Sequence, residues 1–223
     1  MDDMEVEPMS DDQTRLCEHI AEHALRHGWT IAVAESLTGG ELSERLAAAP
    51  QASQWYAGAV VAYSSAVKFA LLDVPVGPVV NADCARQMSV RIRELMGADL
   101  AVATTGVGGP DDTEGQPPGT VWIGLSGLGP TSAVLVRIPG DPAAVVEGAS
   151  RQCLHALLTR MQQASASTTD GEALGNADPS GAQSARRRWS SLRSRPSWRQ
   201  YVVGPFASLL DHARDALSSA MSP

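Results

Sequence analysis

Three short segments of this chain carry residue types that could do chemistry. The first is Ala34-Glu35-Ser36-Leu37-Thr38-Gly39-Gly40. A serine leaves the end of an apolar run, and two glycines follow where the pattern turns helical. Backbone N–H groups at a helix start have no partner within the helix, and the helix dipole there favours an anion. Ser36 at such a turn reads as a nucleophile. The amides around Thr38, Gly39 and Gly40 would face a phosphate or the oxyanion of a tetrahedral intermediate. The same residues would also serve an ordinary strand–turn–helix connection with a hydroxyl cap.

The second segment is Ala62-Tyr63-Ser64-Ser65-Ala66-Val67-Lys68. Lys68 is the only lysine in a chain with sixteen arginines. A lysine kept against that bias fits a role that arginine cannot fill. A general base is such a role, because a desolvated ammonium can lose its proton and a guanidinium effectively cannot. Tyr63 stands where a strand gives way to a loop, within reach of the same site or as an interior aromatic. The third segment is Thr104-Thr105-Gly106-Val107-Gly108-Gly109-Pro110, whose three glycines allow close backbone approach to a ligand.

A fourth pattern points elsewhere. His19-Ile20-Ala21-Glu22-His23 fits a short zinc-binding spacing, and His27 continues it. Helical geometry puts these histidines beside Glu18 and Glu22, on the solvent side of the Leu16 and Ile20 stripe. No further ligand is near in sequence, so no metal is expected.

The elements that must position these residues follow from periodicity. Apolar residues at helical spacing start at Asp12 (Leu16, Ile20, Ala24) and end at Gly28. Residues 29–35 read as a buried strand. A helix carrying Leu42 and Leu46 opens after Thr38-Gly39-Gly40 and stops at Pro50. A second strand covers 57–63, and a short helix about 64–72. Residues 82–97 read as a helix with Met88, Ile92 and Leu95 at core spacing, and 99–106 as a third strand. Residues 119–127 and 131–139 read as a hairpin turning at Leu128-Gly129-Pro130. Asp141-Pro142 begins a long helix to about Gln163, with Val145, Ala149, Cys153 and Leu157 in one stripe. Strands that are apolar throughout, separated by helices, predict a sheet covered on both faces. The hairpin adds antiparallel pairing. The expected fold is therefore α/β: a three-layer α/β/α sandwich with a mixed sheet, plus a C-terminal extension. All three chemical segments follow strand ends, where ligands gather in open α/β sheets.

Composition divides the chain further. Residues 1–11 are acidic with little to bury and are expected to be disordered. Residues 12–163 form the folded domain. Residues 164–185, rich in Ala, Ser, Gly, Thr and Asp, read as a flexible linker. Residues 1–185 carry 10 basic and 23 acidic side chains, which argues against nucleic acid as the ligand of the body. Residues 186–223 carry seven arginines and two aspartates. Their Arg/Trp run is followed by an amphipathic stretch with Phe206, Leu209, Leu210, Ala213, Leu217 and Met221. Residues 186–221 could thus form a packing helix, an anchor on an anionic membrane surface, or a nucleic-acid contact. No apolar run spans a bilayer, and no basic-then-apolar leader opens the sequence, so a cytoplasmic protein is expected. Cys17, Cys84 and Cys153 are far apart and odd in number, and read as free buried thiols.

Taken together, the segments Ala34–Gly40, Gly58–Lys68, Thr104–Pro110 and Pro117–Leu125 resemble the CinA C-terminal-domain family in order and spacing. That family includes the stand-alone PncC-type nicotinamide-nucleotide amidases. The resemblance covers about residues 12–162. It implies an α/β/α fold, a cofactor-free and metal-free deamidation of nicotinamide mononucleotide, and a homo-oligomer. By residue it implies Ser36 as nucleophile with Lys68 and Tyr63 beside it. It further implies ligand contacts at Thr105 and from Gly106 through Gly108 to Gly109. The chain departs from the family pattern at Pro142, Val145 and Val146, where arginines are usual. It departs again at Asn81, where serine is common, and at Gly108, where alanine is common. Arg137 is the nearest remaining cation for a substrate phosphate. These departures keep open an amidase acting on a phosphate-free substrate. Some members are described as competence or DNA-damage-inducible, which supplies a non-catalytic alternative.

Overall fold

The computed structural model describes residues 11–172. Helix α1 spans Asp11–His27 and ends at Gly28, whose φ of 65° suits a glycine after a last helical turn. Strand β1 (Ile31–Glu35) follows, then α2 (Glu41–Ala48) and β2 (Tyr56–Val61). Two helices come next, α3 (Ser65–Leu71) and α4 (Ala82–Met96). Strands β3 (Leu100–Gly106), β4 (Thr120–Ser126) and β5 (Ser132–Arg137) complete the sheet, and α5 (Pro142–Glu172) closes the domain.

The helix starts are fixed by side-chain caps. Ser64 Oγ accepts from Val67 N–H, Asn81 Oδ1 from Cys84 N–H (2.8 Å), and Asp141 Oδ1 from Ala144 N–H (2.9 Å). Helix α5 runs nine residues past the expected end, through Ala164-Ser165-Ala166-Ser167. The serines there do not break it, because Ser165 and Ser167 turn their hydroxyls back to the Met161 and Gln163 carbonyls. The expected linker of residues 164–185 therefore starts in helix.

The five strands lie in the order β2-β1-β3-β4-β5. β1 pairs parallel with β2 and β3, while β4 pairs antiparallel with β3 and β5. The sheet is mixed, as the hairpin predicted. Its two faces are built from different residue sizes. Ile31, Val33, Leu100, Val102, Val121 and Ile123 meet α1, α2 and α5 in one core. Ala32, Ala34, Ala101 and Ala103 meet α4 residues Cys84, Met88 and Ile92 in the other. Small residues on that face bring α4 close to the sheet. At Gly124 a Cβ would stand 2.0 Å from the Ala85 carbonyl oxygen, so only glycine fits the contact.

The histidines of α1 divide. His19 is exposed, whereas His23 and His27 are partly buried against α5. Ser165 Oγ lies 3.4 Å from His23 Nδ1 and 3.1 Å from His27 Nε2, and His27 stacks on Trp29. The solvent-face expectation thus fails for two of the three, because α5 is longer than its apolar stripe. Among the described residues no group of His, Cys, Asp and Glu could hold a metal ion, and no helix is long and apolar enough to cross a membrane. Cys17, Cys84 and Cys153 are free and buried. Residues 1–10 and the Arg/Trp tail lie outside the described residues.

Candidate functional site

The parallel half of the sheet ends in one place. β1 runs out at Glu35 and releases Ser36, β2 runs out into Ala62 and Tyr63, and β3 into Thr105 and Gly106. After a register shift between Ile31 and Ala32, β1 and β2 stay in register to this end. Glu35 pairs with Val61, and Ala62 N–H donates to the Glu35 carbonyl at 2.7 Å. On the other side Ser36 N–H donates to Thr104 Oγ1 at 3.4 Å, and the Thr38 and Thr104 hydroxyls lie 3.2 Å apart. Ser36 and Thr38 are both buried.

The turn after Ser36 is organised by a residue that sequence reasoning missed. Glu35 is fully buried, and its carboxylate caps the start of α2. Oε2 accepts from Gly40 N–H at 3.0 Å and Leu42 N–H at 3.3 Å, and Oε1 from Ser43 N–H at 2.8 Å. Such bonds to a carboxylate are stronger than neutral ones, and the helix dipole adds to them. The chain can wrap this tightly because Gly40 takes φ 110°. Gly39 N–H donates to the Ser36 carbonyl at 3.1 Å. This corrects the expectation for Gly39 and Gly40: their amides are committed to protein acceptors and do not face an oxyanion. Among the described residues, the Leu37 and Thr38 amides meet no acceptor, and they are the two that follow Ser36. The sequence signal was an acid at the end of an otherwise apolar strand, just before two glycines.

Lys68, on α3, is 2% exposed despite its charge. Its Nζ donates to the Ala62 carbonyl at 2.8 Å and the Tyr63 carbonyl at 3.2 Å. Burial lowers its pKa from the usual lysine value, opposed by Cys84 and Glu114. Lys68 makes no direct hydrogen bond to Ser36 among the described residues. It is held instead through Ala62, whose N–H bonds the Glu35 carbonyl leading into Ser36. Hydrogen bonds between catalytic groups are often long without substrate and tighten when it is present. Tyr63 joins the site through its carbonyl only, since its side chain is 73% exposed.

The β3 end is packed tightly. Thr105 is buried, and its hydroxyl donates to the Val79 carbonyl at 2.8 Å. At Gly106 a Cβ would meet the Thr120 carbonyl oxygen at 2.3 Å. Gly108 approaches the Leu37 side chain and Gly109 approaches Pro118, so the loop root lies beside the Ser36 turn. Arg137 is exposed at the same end of the sheet and hydrogen-bonds the Thr120 hydroxyl. Asn81 caps α4, which gives the residue at that departure a structural use.

The family model for the CinA C-terminal domain matches residues 13–161. A CinA-like protein of Frankia casuarinae (strain DSM 45818 / CECT 9043 / HFP020203 / CcI3) is 43% identical over 117 residues, 50% of this chain and 27% of that protein. The chain spans between about a quarter and two fifths of the length of the curated relatives it matches. Among solved structures, a CinA superfamily protein from Klebsiella pneumoniae 700603 superposes with a TM-score of 0.64 at 33% identity. That match covers 68% of this chain and 98% of the other. The competence damage-inducible protein A from Klebsiella pneumoniae subsp. pneumoniae MGH 78578 matches with a TM-score of 0.65 at 34% identity, covering 67% and 97%.

Proposed function

The chain belongs to the CinA C-terminal domain family, and from that premise and the geometry at the strand ends we propose that it is an amidohydrolase converting nicotinamide mononucleotide to nicotinate mononucleotide and ammonia. The observation that carries this reading is the pairing of a buried serine turn with a desolvated lysine anchored one peptide away, across the β1–β2 pair. Lys68 in its neutral form takes the Ser36 proton, and Ser36 Oγ attacks the carboxamide carbon. The Leu37 and Thr38 amides face the oxyanion. Lys68 returns the proton to the departing ammonia, and water then cleaves the acyl-enzyme to release the acid. Each of these roles falls to a side chain or amide of this chain.

A phosphate-free amide is the second reading, and one observation favours it. The start of α5, capped by Asp141, carries Pro142, Val145 and Val146 where the family pattern has arginines, so it offers a phosphate no cation. Arg137 is then the cation left for that group. Self-association belongs to the same proposal, supported by Val61, Tyr63, Val67 and Leu71, which are exposed and uncharged beside the site. The test is ammonia release from nicotinamide mononucleotide, nicotinamide riboside and nicotinamide in parallel. Preference for the mononucleotide supports the first reading. Turnover of only the phosphate-free substrates supports the second, and no ammonia from any of them sinks both.

A further inference from the structure

Loop 107–119 leaves β3 at the Ser36 edge and returns into β4. Its root stays paired: Val107 N–H donates to the Thr120 carbonyl and Gly119 N–H to the Val107 carbonyl, both at 2.8 Å. Further out, Thr113 and Gln116 exchange backbone hydrogen bonds of 3.1 and 2.9 Å, which folds the tip into a tight turn. Glu114 sits in that turn with a φ of 54°, a left-handed conformation uncommon for a glutamate. Strain of this kind persists where surrounding contacts over-determine it, and at Glu114 they do. Its carboxylate accepts from Val79 N–H at 2.9 and 2.8 Å, and from Val80 N–H at 2.8 Å. The Val79 carbonyl is gripped in turn by the Thr105 hydroxyl. Glu114 thus ties the loop tip to the lead-in of α4, and Thr105 ties that lead-in to β3.

The charge of Glu114 also acts on the buried Lys68. The ionisable groups that bear on Lys68 are Cys84, from α4, and Glu114, from this loop. Burial pushes the Cys84 thiol up to about 11. It is therefore uncharged near neutral pH, and the negative charge that bears on Lys68 is that of Glu114.

We propose that Glu114 is a positioning residue of this site: by gripping the Val79 and Val80 amides it fixes loop 107–119 at the Ser36 edge and holds a negative charge against Lys68. The functional consequence rests on the reading of Lys68 as the base. A nearby carboxylate favours the ammonium form, so Glu114 raises the pH at which Lys68 sheds its proton. Withdrawal of the loop removes that charge and favours the neutral amine. Loop position and base availability are therefore coupled.

The single lysine makes this directly measurable. Full-length protein grown with 13C,15N-lysine shows one lysine side chain, whose NMR shift against pH reports Lys68 alone. Glu114→Gln keeps the shape and one acceptor oxygen but removes the charge, and its Lys68 midpoint should move to lower pH. Glu114→Asp keeps the charge and should stay nearer the parent. In the unmodified protein, the Val79 and Val80 amides should exchange slowly with solvent, because both donate to the Glu114 carboxylate. An unchanged Lys68 midpoint in a folded Glu114→Gln variant overturns the proposal. So do Val79 and Val80 amides that exchange as fast as unbonded ones, a result that needs no variant to fold. Neither readout uses turnover, so a failed amidase assay leaves this inference standing, and its own failure leaves the amidase reading untouched.

Discussion

Replacing Glu35 by alanine would strip the start of α2 of the acceptor for three of its amides. The Gly40, Leu42 and Ser43 N–H groups all donate to this carboxylate, at 3.0, 3.3 and 2.8 Å. A hydrogen bond to a charged group contributes about 1.5–3 kcal/mol net, and a buried donor left unpaired costs about 1–3 kcal/mol. Three such bonds set a gross loss of at least ~4.5 kcal/mol. Two terms offset it. Removing a buried carboxylate also removes its desolvation penalty, and water can reach the Gly40 and Ser43 amides, which are only partly buried. The expected net destabilisation is about 2–4 kcal/mol. In a domain of this size that lowers the melting temperature by roughly 5–15 °C. Glu35→Gln retains one acceptor oxygen but turns an NH2 group toward an amide, so it should fall between the two. Urea and thermal unfolding followed by far-UV circular dichroism measure both. Activity should drop further than the folded fraction does, because the residue that moves is next to Ser36. Unfolding of Glu35→Ala within about 0.5 kcal/mol of the parent would refute the capping argument, since that is no more than an ordinary surface substitution produces.

Lys68→Arg keeps the charge and should still lose nearly all turnover, because a guanidinium with a pKa of about 12 or more cannot act as a base near neutral pH. In the parent, kcat/KM should rise with pH through the lowered Lys68 value, since the proposed base acts as the neutral amine; a flat profile would assign the proton to another group. Arg137→Ala should raise KM for nicotinamide mononucleotide and leave nicotinamide riboside unaffected; equal effects on both would remove Arg137 from phosphate recognition. At pH 8 the native protein should give almost no thiol reaction with an aromatic disulfide and three equivalents once denatured. All three cysteines are buried, and burial pushes Cys17 and Cys84 up to about 11 and raises Cys153 well above the usual thiol value. A fast native thiol would contradict that burial.

The fold was legible because its signals were local. Apolar runs of strand length, the stops at Gly28 and Pro50, and the Asp141-Pro142 helix start all act within a few residues. The face preference within the strands was less visible, because large and small apolar residues alternate without any polar residue to mark the pleat. The end of α5 was hidden for a related reason: Ala and Ser mark linkers and helices alike, and only the Ser165 and Ser167 back-bonds decide between them. Ser36 and Lys68 could be picked out by residue type and rarity. Their setting could not. Glu35 binds amides five to eight residues ahead, and Glu114 binds amides 34 and 35 residues behind, both through backbone groups that carry no sequence signature. Within Asp111-Asp112-Thr113-Glu114, one acid clamps the loop, and nothing in the string distinguishes it.

The proposed nucleophile, Ser36, is put to the proof by a single comparison. Ammonia release from nicotinamide mononucleotide should be followed for the full-length chain and for Ser36→Ala at matched folded concentration. Turnover is expected in the parent and a loss of roughly a thousandfold or more in the variant, with a melting temperature close to the parent's. Turnover retained by Ser36→Ala would contradict that role outright.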